Sequence, residues 1–131
     1  MAQTGEPADA RKMVERAMEL VETKGPDTAF RIMNSQPQEF VDGALYIFVV
    51  DQNENIVAHA GDPARVGSLA TETIDSDGQN IGELLRAAAN EYGAWVDYRF
   101  MNIASGKIEP KTTWVVLEGD YMYGAGVYKA P

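Results

Sequence analysis

Apolar residues recur at three- and four-residue steps through Ala10, Met13, Val14, Ala17, Met18 and Val21, which places them on one face of a helix starting near Asp9. Gly25 is positioned to end it, and Pro26-Asp27 to open a short second helix carrying Ala29, Phe30, Ile32 and Met33. The period then changes. Ala44–Ala60 reads as two apolar runs joined by the turn cluster Asp51-Gln52-Asn53-Glu54-Asn55, the pattern of a hairpin. Alternation along its first strand puts Leu45, Ile47 and Val49 on one face and Tyr46, Phe48 and Val50 on the other. Both faces are apolar, so both must be covered. The stretch 61–80 is rich in Gly, Asp, Ser and Thr and predicts a long excursion. A third helix follows, capped by Asp77 or Asn80, with Ile81, Leu84, Leu85, Ala88 and Tyr92 on one stripe and Gly93 at its end. Three strands close the chain, at 94–102, 111–117 and 121–128. The expected fold is α+β: a five-stranded antiparallel sheet, the long first helix on one face, the excursion and third helix on the other. The polar stretch 1–8 is expected to fray, leaving one domain over 9–131.

Composition narrows the function. With 131 residues and 45% hydrophobic content the chain can build a core unaided, and it has no cysteine for disulfides, thiolate metal sites or a thiol nucleophile. A net charge of −9 disfavours nucleic acid and anionic membrane surfaces, and a small anionic ligand would need a local cation. No apolar run is long enough to span a bilayer, and the N-terminus lacks the pattern of a signal peptide. There is no Gly-x-Ser-x-Gly elbow and only one histidine, so an enzyme is not expected; nor is a cofactor or a metal site. Asp75-Ser76-Asp77-Gly78 mimics the opening of a calcium loop, but the twelfth position holds Arg86 where a bidentate Glu is required.

Several blocks in order resemble the single Cache sensory domains of type 2, which are PAS-like. They are TAF after the first helix, F-x-DG-x-LYIFV, IVAHA, VG-x-L, D-x-DG, G-x-WV-x-Y, PK-x-T-x-V and the terminal GAGVY. Two positions depart from the family pattern: His59 is followed by Ala60 rather than proline, and Arg99-Phe100 follows the tyrosine-containing strand. The resemblance implies a small-molecule sensing module for signal transduction or chemotaxis. It would bind a short carboxylate such as acetate, propionate, pyruvate or lactate, and sit on the periplasmic or extracytoplasmic side of a receptor. The absence of a signal peptide leaves a cytoplasmic setting open. A chain ending three residues past Tyr128 is either a free-standing binding protein or an excised module. The competing reading is an interaction module whose pocket is filled by its own aromatics, with homodimerisation through the first helix.

Each candidate residue has a plainer reading beside it. Lys111 follows Pro110, matches the lysine of the PK block and would neutralise a carboxylate; otherwise it is a solvated lysine at a strand edge. His59 would donate to the anion and respond to physiological pH; otherwise it finishes a strand. Tyr46, Phe48 and Tyr98 would shape an enclosed polar-tipped site, with Trp95 reaching over its rim, although the parity of Trp95 and Trp114 favours core packing. Arg65, Arg99 and Phe100 form a second tier. Arg65 would clamp a carboxylate or else make a surface ion pair, and Phe100 is the aromatic best suited to plain packing.

Overall fold

The computed structural model describes residues 6–35, 37–75 and 77–129. The first helix, α1 (Pro7–Lys24), begins two residues before Asp9, so the expected frayed segment falls outside the described residues only over 1–5. Proline at the first helical position loses no bond, and the backbone N–H of Glu6 donates to Asp9 Oδ2 at 3.1 Å. A second helix, α2 (Pro26–Ser35), follows directly after Gly25, whose φ of +87° suits only glycine without strain.

The strands are β1 (Val41–Asp42), β2 (Leu45–Asp51), β3 (Ile56–His59), β4 (Ala94–Met101), β5 (Ile108–Glu118) and β6 (Tyr121–Tyr128). They form one antiparallel sheet in the order β1-β2-β6-β5-β4, with β3 also paired to β2. The five expected strands are present. The sixth is the two-residue β1, which folds back on Leu45 and Tyr46 through Gly43 at φ +62°. Strand β6, last in the chain, lies between β2 and β5 at the centre of the sheet.

One face of the sheet is packed by α1, which buries Ala10, Met13, Val14 and Ala17 against β2, β5 and β6. Phe30 of α2 meets Tyr121 edge-on at 5.0 Å. On the same face Trp95 and Trp114 meet across strands at 5.1 Å with their rings tilted by 54°, and the Arg11 guanidinium lies 4.4 Å from the Trp114 ring centre.

The other face is covered by the excursion, with 3-10 turns at Pro63–Arg65 and Ala70–Glu72, and by helix α3 (Ile81–Ala88). Asn80 is the cap: its Oδ1 accepts from Glu83 N–H at 3.0 Å, and its Nδ2 donates to the Thr71 carbonyl at 2.7 Å. Asp75 Oδ1 accepts from the backbone N–H groups of Asp77 and Gln79, an Asx arrangement leading toward that helix. Gly82 lets α3 approach the Ala70 carbonyl more closely than any side chain would allow. At the far end of the helix Arg86 pairs with Glu54 at 3.0 Å and donates to the Asp51 carbonyl at 2.8 Å, fastening α3 to the β2–β3 turn.

Helix α3 stops at Ala88, short of the expected Tyr92. Asn90 ends it: its carbonyl accepts from Leu117 N–H of β5 and its Oδ1 from Tyr92 N–H, a turn held by the sheet. Tyr92 is consequently 83% exposed rather than on the apolar stripe.

Candidate ligand-binding site

Between the sheet and the excursion lies a cavity of about 50 Å³. Alternation along the strands supplies its floor: Tyr46 and Phe48 from β2, Tyr98 and Phe100 from β4, Lys111 from β5. His59 at the end of β3 forms one wall. Arg65, Ala70, Thr73, Ile81, Gly82 and Leu85 form the roof. Room for the floor residues comes from β6, where Gly124 lies under the Phe48 ring and Gly126 under Thr113 and the Lys111 side chain.

Lys111 is the centre of the site. It is 1% exposed, and its Nζ donates to Tyr46 Oη at 3.1 Å. Four rings surround the ammonium, with centres at 4.4 Å (Tyr46), 5.1 Å (Tyr128), 5.3 Å (Phe100) and 6.0 Å (Tyr98). Burial is the largest influence on its titration and disfavours the charge; the phenols of Tyr46, Tyr98 and Tyr128 act the other way and outweigh it, holding Lys111 above the usual lysine range. Among the described residues the ion pairs are Arg86–Glu54 and Lys129–Asp97, and neither involves Lys111. An ammonium in such a place, served by ring faces and one phenol, retains unspent capacity for an anion.

His59 is 6% exposed and stacked against Tyr46, ring centres 4.8 Å apart. Its Nδ1 accepts from Asp62 N–H at 2.9 Å, which fixes the neutral tautomer with the proton on Nε2. Burial, then the positive charges of Arg65 and Lys111, lower its pKa to about 4. The expected response to physiological pH is thus absent: His59 is a neutral donor throughout that range. Its backbone N–H is held by Asn34 Oδ1 at 2.9 Å, so α2 sets the position of this wall.

Tyr98 shares a 2.8 Å hydrogen bond with Thr113 Oγ1, and burial raises its pKa, so it stays protonated. Arg65 donates to Thr73 Oγ1 at 2.6 Å and lies 5.9 Å from the Phe100 ring centre; it is half-buried in the roof, and among the described residues it makes no ion pair. Phe100 lies edge-on to Tyr98 at 6.0 Å and lines the cavity.

Two expected residues lie elsewhere. Trp95 and Arg99 project from the opposite face of β4, where Trp95 meets Trp114 and Arg99 is exposed. Period-two alternation forbids either from joining Tyr98 and Phe100. Residues not singled out from the sequence complete the site: Thr73, Thr113 and Tyr128, with Asn34 behind His59. Thr113 shares the face of Lys111 by alternation along β5, a signal present in the sequence, whereas Tyr128 joins them only through the β5–β6 register, which sets it opposite Lys111.

The profile of the family described as Single Cache domain 2 matches residues 5–118. Three solved structures share the fold. A methyl-accepting chemotaxis protein from Vibrio parahaemolyticus RIMD 2210633 is 16% identical, with a TM-score of 0.72 over 92% of this chain and 86% of that one. A periplasmic sensor domain of a chemotaxis protein is 21% identical, with a TM-score of 0.65 over 94% and 90%. A Cache chemosensory domain described for its recognition of carboxylic acids is 17% identical, with a TM-score of 0.64 over 94% and 88%. No curated protein matches the chain.

Proposed function

This chain belongs to the single Cache domain 2 family, a family of sensory domains, and on that footing we propose that it senses a short organic carboxylate held between the sheet and the excursion. The observation that carries the reading is Lys111, a buried cation surrounded by rings and phenols with no acidic side chain paired to it among the described residues. A ligand carboxylate supplies the counter-charge, with the Nε2–H of His59 and the Arg65 guanidinium as further donors. The resemblance to a domain described for carboxylic acid recognition points the same way.

Size and polarity narrow the ligand. A cavity of about 50 Å³ is small, which suits a short acid. The lining contains no Asp or Glu, so the ammonium of an amino acid would lose its hydration without gaining a charged partner. Acetate, propionate, pyruvate and lactate are therefore favoured over glycine and alanine. The open volume also weighs against the competing picture of a pocket filled by its own aromatics.

The reading places the domain outside the membrane in a receptor, by analogy with the periplasmic sensor domain it resembles. No helix among the described residues is long and apolar enough to cross a membrane. Closure of the excursion on the ligand would be transmitted across the sheet to α1, and its extent is set by the ligand's preference for the closed state.

The test is a thermal-shift and calorimetric series with the four acids, their neutral amides, glycine and alanine. At about 100 times its dissociation constant a ligand adds roughly 2.7 kcal/mol, a shift of several degrees. Stabilisation by the acids and not by the amides is expected. Equal response to acid and amide, or a preference for the amino acids, would overturn the assignment.

A further inference from the structure

Strand β4 is the outer edge of the sheet and pairs only with β5. At the hairpin end Asn102 N–H bonds to Lys107 O, and antiparallel alternation then turns the backbone groups of Phe100, Tyr98 and Val96 toward β5. Those of Trp95, Asp97, Arg99 and Met101 point outward. Among the described residues, the Met101 carbonyl is the one of these that is engaged, by the Tyr128 hydroxyl at 2.7 Å. The same four residues have exposed side chains, including Trp95 at 39% and Met101 at 44%. Eight residues of edge strand, without proline or bulge, are the kind of template that proteins usually shield.

The order of side chains along this edge is self-complementary. We propose that two copies of this chain join β4 to β4 antiparallel, about a two-fold axis at Tyr98, with Asp97 of each copy, already paired at 3.2 Å with its own exposed Lys129, opposite Arg99 of the other. That register also sets Trp95 opposite Met101 across the axis, and Val96 opposite Phe100 on the pocket face. Moving the axis one residue either way sets Asp97 against Asp97 or Arg99 against Arg99, and like charges directly opposite oppose pairing. The outward groups of Asp97 and Arg99 face one another in the chosen register, so the ladder bonds and the charges agree. An α1 interface has less to offer: its outer face carries exposed Arg11, Lys12, Glu15, Arg16, Glu19 and Glu22, and charged residues are depleted at interface cores. Pairing through β4 would set the two ligand cavities on either side of the axis, each with its Tyr98 next to the other's. The proposal rests on the fold alone and stands whether or not the carboxylate reading does.

The experiment is sedimentation velocity and light scattering on the wild type, Asp97→Arg, Arg99→Asp and the double variant, with circular dichroism as the check on folding. The wild type should be a dimer. Each single reversal places like charges opposite and should weaken dimerisation by about tenfold or more. The double variant should recover it, and an equimolar mixture of the two singles should form heterodimers. A wild type that stays monomeric at millimolar chain concentration overturns the proposal. So does a dimer indifferent to both single reversals, which would point to α1 or another face.

Discussion

At the scale of single residues, the site depends on a charge kept where water would normally serve it. Removing that charge should cost binding and not stability. Lys111→Met preserves the stem among the four rings and discards the ammonium; carboxylate affinity should fall by about two orders of magnitude, the loss of a charge-assisted bond in a dry site. Replacing a buried charge by an apolar group of similar shape is often neutral or stabilising, so the unliganded variant should melt no lower than the wild type. Calorimetric titration and a melting curve on the same sample check both halves. His59 makes the complementary case. Unfolded, it binds a proton near pH 6.5; folded, only near 4. Between those values the unfolded chain holds more protons, so this contribution is complete above 6.5 and is lost as pH falls through about 4. The amount is on the order of 3 kcal/mol. Chemical denaturation across that range should show the decline, and His59→Gln should flatten it.

At the scale of elements, the roof of the site is fastened at a few points. Arg86 ties α3 to the β2–β3 turn through Glu54 and the Asp51 carbonyl, and the pair is only about one-quarter exposed. Arg86→Ala should destabilise the fold by about 1 kcal/mol, reflecting the partly screened pair and a lost backbone bond. Amide exchange should then quicken over 61–88 and not in β5 or β6. The floor has its own tight point. Gly124→Ala drives a methyl into the Phe48 ring, and an overpacking cost of about 1–3 kcal/mol is expected, with weaker carboxylate binding. Much of this scale was readable from periodicity: the α1 face, the parity of Tyr46 and Phe48 and of Tyr98 and Phe100, and the capping turn before α3. What escaped depended on partners distant in sequence. Tyr92 fits a helical stripe, but the Asn90 carbonyl is claimed by Leu117 of β5 and the helix ends first. The family blocks point Trp95 to the rim against its own parity, and the structure follows the parity. The brief β1 rests on two residue pairs made possible by Gly43, too short to leave a pattern.

At the scale of the whole molecule, two cations line the site inside a domain of net charge −9. The long-range field repels the proposed ligand while Lys111 and Arg65 attract it at close range. Added salt screens the first more than the second, since exposed charges are screened over roughly 8–10 Å and buried ones much less. Raising ionic strength should therefore quicken association modestly, the reverse of a binding protein with a positive surface; stopped-flow measurements with a fixed carboxylate would show it. The topology has a consequence in time as well. Strand β6 lies between β2 and β5, so a hairpin completed near residue 60 must wait for residues 121–128 before β5 and β4 are joined to it and the floor of its cavity is assembled. Contacts of such long sequence separation slow folding, because chain closure precedes the gain from pairing. During synthesis no nascent fragment lacking β6 has a site to fill. Lys111 itself stays in water until Tyr128 is laid beside it, so the energetic cost of enclosing the charge falls on the last step of assembly.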